Sequence, residues 1–184
     1  TSRGLGDVYK RQKPGIAVGG HCIPIYPHMY LWNHPDATVV RAAREANASM
    51  PSKVVAKLAE LHGDLKGQKV VVLGAAYRGG VKETAFSGVF ATVKALNDLG
   101  AEVYVNDPLY SNEELQSLGF KPYHFGQVID AAIVQANHPI YEELTESCLL
   151  YTSDAADEGL STITALPPLR MTRKISLSVA IGSA

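Results

Sequence analysis

Residues 14–31 read PGIAVGGHCIPIYPHMYL, placing the thiol of Cys22 directly after Gly19, Gly20 and His21 and directly before Ile23 and Pro24. Three chemistries are open to such a thiol. Buried in a core, it is an inert small hydrophobe. With His21 and His28 it would ligate a metal, although that spacing matches no common zinc pattern. Beside a cation or a helix start it becomes a thiolate nucleophile. Gly19 and Gly20 free the backbone for close approach of a ligand, while Pro24 and Pro27 stiffen the chain beyond. That setting favours the nucleophile, but spacing alone leaves all three readings standing.

A second constellation lies in LGAAYRGGVKETAFSG, residues 73–88. Gly74 closes a β-branched run, and a tight strand-to-helix turn there would present backbone N–H groups to phosphate. Arg78 and Lys82 add two cations that suit a diphosphate. The segment is not G-x-G-x-x-G, because residue 76 is alanine, nor a Walker loop, because Gly80 stands where lysine is required. The plain alternative is a structural glycine in a doubly wound sheet. Asp107 ends the next apolar run and would reach a ribose hydroxyl in a dinucleotide site, but the usual separation from the glycines is about 20 residues. Here it is longer, and Pro108 makes a strand-ending Asp-Pro turn the better reading.

The elements that must carry these residues follow from periodicity. Residues 33–62 are helical, as two helices or one kinked at Met50-Pro51, with Val54, Val55, Leu58 and Leu61 at helical spacing and Gly63 as the stop. KVVVLGAAY (69–77) reads as a buried parallel strand, residues 87–100 as a helix and residues 101–108 as a second strand. Ser111 and Glu114 form a capping box opening a helix that ends at Gly119. A short strand near 122–125, a one-turn helix GQVIDA and the strand AAIVQA (131–136) complete the pattern. Strand alternating with helix predicts an α/β fold with a parallel sheet and right-handed crossovers.

Composition narrows the classes. With 46% hydrophobic residues, 19% charged residues and a net charge of −1, the chain reads as globular and lacks a nucleic-acid surface. No apolar run reaches the roughly 18 residues that span a bilayer. Two cysteines make no disulfide framework, so the reducing cytoplasm is the expected compartment.

Both ends read as foreign. DVYKRQ at 7–12 can be encoded by GAT GTG TAT AAG AGA CAG, whose reverse complement in another frame encodes CLLYT at 148–152 and begins the codon of Ser153. That DNA resembles a transposon mosaic end used in sequencing libraries. Residues 1–12 are therefore expected to be translated adapter, and residues 148–184 adapter and run-on sequence. The protein proper is expected to continue beyond both.

Taken together, PGIAVGGHCIPIYPHMYL, VRAAREANASMP, VVVLGAAYRGGVKET and VYVNDP resemble the C-terminal half of nucleotide-sugar 6-dehydrogenases, the family of UDP-glucose and GDP-mannose dehydrogenases. Gly-Gly-His-Cys-Ile-Pro is most similar to the branch acting on UDP-N-acetylmannosamine or UDP-N-acetylglucosamine. The resemblance implies residues 13–63 as the cysteine loop and the helical end of a central dimerisation domain, and 64–147 as a truncated Rossmann-like UDP-binding domain. It implies an NAD-dependent enzyme, homodimeric when intact, that oxidises a sugar C6 alcohol to a carboxylate with two NAD⁺. Cys22 would be the catalytic nucleophile, forming first a thiohemiacetal and then a thioester that water hydrolyses. Gly19 and Gly20 would let the sugar reach the backbone, and His21 would join them in binding the substrate. Tyr77 and Arg78 would take the places of the family's Phe-Lys beside the UDP diphosphate.

Departures accompany the likeness. Tyr26 stands four residues after the cysteine, where many members carry an aspartate that helps activate water. Ala85-Phe86-Ser87 replaces the family's Arg-Glu-Ser, and Arg44 and Asn47 match an Ala-Arg-x-x-Asn pattern. The NAD domain is absent, so the chain alone is expected to be inactive, and no metal is implied. Two rival readings remain: a non-catalytic nucleotide-binding module with a structural Cys22, and a small dinucleotide-binding domain built on the Gly74 turn.

Overall fold

The computed structural model describes residues 16–142, together with the backbone of residues 162–165 and 177–178. Two helices come first, α1 (Cys22–Asn33) and α2 (Thr38–His62). Then follow β1 (Lys69–Leu73), α3 (Val89–Asp98), β2 (Glu102–Asn106), α4 (Asn112–Ser117), β3 (Ala131–Val134) and the short α5 (Pro139–Glu142). β1 is the middle strand, paired in parallel with β2 on one side and β3 on the other. The predicted parallel α/β sheet is therefore present.

β1 is buried on both faces, and the period of two along a strand assigns its side chains. Val70 and Val72 face Val54, Val55 and Leu58 of α2 and Val89 and Leu96 of α3. Val71 and Leu73 face Tyr123, Ile129 and Tyr141 on the other side. α2, α3 and the sheet thus share one apolar core. The capping box holds as expected: the Ser111 hydroxyl accepts from the Glu114 N–H while the Glu114 carboxylate accepts from the Ser111 N–H.

Five expectations are corrected. The cysteine segment is not a loop: Cys22 is the first residue of α1, because Pro24 falls in the first turn, where backbone N–H groups need no helical partner. The expected break at Pro51 is absent, and α2 runs unbroken through it, with Pro51 itself buried against the core. GQVIDA is turn rather than helix, and the expected strand near 122–125 is reduced to an isolated bridge from Val105 to Pro122. The turn after β1 does not lead straight into a helix; residues 74–88 form a long loop before α3.

A parallel sheet ending at β3 would leave the outer edge of that strand open. That edge is covered by two short antiparallel strands, β4 (Thr162–Ala165) on β3 and β5 (Leu177–Ser178) on β4. An unpaired strand edge offers N–H and C=O groups to any extended segment, whatever its side chains.

Candidate active site

The cysteine turn is held from two sides. On one, Asn47 of α2 acts as a two-pronged clamp: its Oδ1 accepts from the Val18 N–H at 2.8 Å and its Nδ2 donates to the Val18 carbonyl at 3.2 Å. On the other, the Gly20 N–H donates to the Ala85 carbonyl at 3.0 Å. A Cβ on Gly19 would fall 2.6 Å from both the Phe86 carbonyl oxygen and the Tyr77 Cβ. Gly20, at φ +91°, lies against the Tyr77 ring.

The two glycines are thus required by the protein itself. The 77–86 loop packs closely against both of them. They deliver Cys22 to the rim of that loop. The thiol is exposed at the start of α1, which removes the buried core-thiol reading. His21 reaches across to Glu83, with Nε2 3.7 Å from Oε2. Among the described residues no group of three His, Cys, Asp or Glu side chains could hold a metal ion.

The expected site residues come together unevenly. Gly19, Gly20 and Tyr77 are in contact, and His21 and Cys22 adjoin them. Arg78 is half-buried, its guanidinium 5.9 Å from the Tyr77 ring centroid. Among the described residues it donates only to the Gly79 carbonyl at 3.5 Å, and its Nε has no partner. Lys82 is committed elsewhere, to both carboxylate oxygens of Glu114 at 2.6 and 2.7 Å. Arg78 is therefore the cation of the pair left to meet an anionic ligand.

Asp107 adopts the structural role. Its Oδ2 accepts from the N–H groups of Ala75 at 2.8 Å and Ala76 at 3.2 Å, and its Oδ1 accepts from the Leu109 N–H at 2.9 Å. Burial works to raise its pKa, but the His138 ring and these N–H donors outweigh it and hold the carboxyl below its ordinary value. The amides that a phosphate would use at a dinucleotide turn are thereby occupied. Beside Asp107, the Tyr141 hydroxyl bonds the carbonyl and Oδ1 of Asn106, both at 3.0 Å. Burial and then the Asp107 charge push that phenol's pKa up, so it stays a protonated donor.

Three residues escape the motif reading: Glu83, Asn47 as a backbone clamp, and His138. Glu83 carried a faint signal as the acid between Lys82 and Thr84. His138, beyond the last strand, carried none.

The chain's likeness to known proteins agrees with this geometry. Residues 71–153 match the model of the UDP-glucose/GDP-mannose dehydrogenase family, UDP binding domain. A UDP-N-acetyl-D-mannosamine dehydrogenase of Methanocaldococcus jannaschii is 40% identical over 103 residues, covering 53% of this chain and 24% of that protein. A UDP-glucose 6-dehydrogenase of Rickettsia conorii is 33% identical over 112 residues, covering 57% and 25%. The solved UDP-glucose dehydrogenase of Pyrobaculum islandicum superposes with a TM-score of 0.64 at 26% identity, over 71% of this chain and 33% of that one. The chain thus spans between a quarter and a third of the length of the proteins it matches.

Proposed function

Since residues 71–153 match the UDP binding domain of the UDP-glucose/GDP-mannose dehydrogenase family, we propose that the chain is part of an NAD-dependent UDP-N-acetylhexosamine 6-dehydrogenase. The intact protein would oxidise the sugar C6 alcohol to a uronate. The sugar class rests on Gly19-Gly20-His21-Cys22-Ile23-Pro24 and on relatives named as UDP-N-acetyl-D-mannosamine dehydrogenases. By the same resemblance the intact protein is a cytoplasmic homodimer.

One observation carries this reading: the turn that ends in Cys22 is docked on the loop that bears Tyr77 and Arg78, through the Gly20–Ala85 hydrogen bond. A nucleotide sugar whose diphosphate meets Arg78 would then extend its sugar along this junction toward the thiol. Arginine suits the diphosphate end because its planar fork makes paired charge-assisted bonds to phosphate oxygens. The exposed sulfur at the first residue of α1 suits the other end. Its share of the chemistry is to add to an aldehyde carbon, forming an S–C bond, and later to leave as a thiol when water attacks the thioester carbon.

NAD supplies the hydride acceptor in this family, and the described residues do not fit it. The turn after β1 lacks the glycine fingerprint, and its first two N–H groups are already taken by Asp107. NAD binding is assigned to protein outside this chain. The same occupied amides weigh against a dinucleotide site on the Gly74 turn. Exposure of Cys22 weighs against a module in which the thiol is structural.

Alkylation tests the reading. Iodoacetamide should label Cys22, located by peptide mass so that Cys148 is scored separately, and a UDP-N-acetylhexosamine should protect it. Fast labelling without protection, or no labelling at all, would overturn the assignment.

A further inference from the structure

The loop bearing Tyr77 and Arg78 is an arch, and both its feet rest on one buried pair. At the first foot, the Asp107 carboxylate holds the N–H groups of Ala75 and Ala76. At the second, the Gly80 N–H donates to His138 Nδ1 at 3.4 Å. That bond leaves the proton of a neutral ring on Nε2, which stands 3.4 Å from Asp107 Oδ2. The side chains are 3% and 0% exposed, and among the described residues Asp107 is the charged group that faces His138 Nε2, which makes no hydrogen bond of good geometry. Tyr141 closes the ring from behind, edge-on to His138 at 5.5 Å.

The arch is also seated sterically. A methyl group on Gly79 would land on the Asn137 carbonyl, so the backbone at the crest rests directly on the segment that carries His138. Arg78 has no comparable anchor of its own, only the long bond to Gly79 and the face of Tyr77. Its direction is therefore set by the arch beneath it.

We propose that Asp107 and His138 form the positioning pair for Arg78, fixing the loop so that its guanidinium is aimed at the diphosphate of the nucleotide. This deepens the function proposed above and rests on its assignment of Arg78. A buried ionisable pair is a poor means of adding stability, since apolar side chains of the same volume often do as well. It is an effective means of fixing two loop ends in register, because the Asp107 carboxylate accepts from the Ala75 and Ala76 N–H groups and His138 Nδ1 accepts from that of Gly80. Bidentate recognition of phosphate depends on such fixed direction.

The experiment compares the full chain with His138→Ala, His138→Gln and Arg78→Met, reading UDP and uridine affinities and amide hydrogen exchange over residues 75–82. His138→Ala should weaken UDP by about tenfold, the worth of one charge-assisted hydrogen bond, and leave uridine within about twofold. Exchange should rise over 75–82 alone. His138→Gln, whose amide oxygen accepts from Gly80, should recover most of the affinity. Unchanged exchange over 75–82 in His138→Ala, equal losses for UDP and uridine, or no recovery in His138→Gln would overturn the proposal. An Arg78→Met variant that binds UDP as well as the parent would instead overturn the assignment of Arg78 to the diphosphate.

Discussion

Asn47 and Val18 are joined by two hydrogen bonds, one to each backbone polar group of Val18, across 29 residues of sequence. No other side chain in the described residues holds the segment leading to Cys22 in this way. Removing the amide leaves a half-buried N–H and C=O without partners, each at the cost of a lost hydrogen bond. Asn47→Ala should therefore destabilise the chain by about 1–3 kcal/mol. Urea denaturation gives the magnitude, and faster hydrogen exchange at Val18 gives the location. A variant as stable as the parent would show that the clamp holds nothing.

Gly19 separates packing from backbone freedom at the same turn. Its added Cβ would meet the Phe86 carbonyl oxygen and the Tyr77 Cβ at 2.6 Å, and neither can swing aside as a side-chain tip would. Gly19→Ala should lift the cysteine turn off the 77–86 loop at a cost of about 1–3 kcal/mol, and alter the alkylation rate of Cys22. Gly63→Ala is the contrast, since φ is +97° with nothing within 4 Å of the new methyl. It should cost only the strain of a backbone conformation that glycine alone adopts readily (ψ −148°), about 1–3 kcal/mol, with no change at the thiol.

Asp107 makes stability depend on pH in a definite direction. Its carboxyl is held below the ordinary value, so folding favours the ionised form. That contribution is complete above the unfolded carboxyl's pKa, near 4, and is lost as pH falls through the lower folded value. Asp107→Asn should be less stable than the parent at neutral pH, since its NH₂ cannot accept from the loop amides. The gap should narrow on acidification below about pH 4. Parallel curves for the two proteins from pH 7 to pH 3 would refute the assignment.

Local signals explain what the sequence made legible. The β-branched run at Val70–Val72 and the Ser111–Glu114 capping box specify their elements through adjacent residues, and both stand as read. α1 was missed because two prolines in six residues argue against a helix, although the first falls where a helix loses nothing by it. Pro51 misled in the same way: α2 survives it because Pro51, Val54, Val55 and Leu58 bury their side chains together. Tertiary packing outweighed a local breaker. The site divides along the same line. Cys22, Tyr77 and Arg78 were visible as motif positions, whereas Asn47 as a clamp and His138 as a brace act across 29 and 58 residues. Spacing in one sequence carries no trace of such pairs.

Phe86 is the one non-glycine residue at positive φ among those described, at +50°. Left-handed backbone strains an aromatic residue, and its ring, 59% exposed, recovers little by burial. The strain is located at the contact itself, since the Phe86 carbonyl is the group against which Gly19 packs. Asparagine tolerates this region better than any other side-chain-bearing residue apart from aspartate, while β-branched valine tolerates it worst. Phe86→Asn should therefore gain up to about 1 kcal/mol and Phe86→Val lose at least as much, measured by urea denaturation. If the order were reversed, the ring rather than the backbone would be what matters at this position, and an exposed aromatic beside the thiol would have to be read as a contact surface.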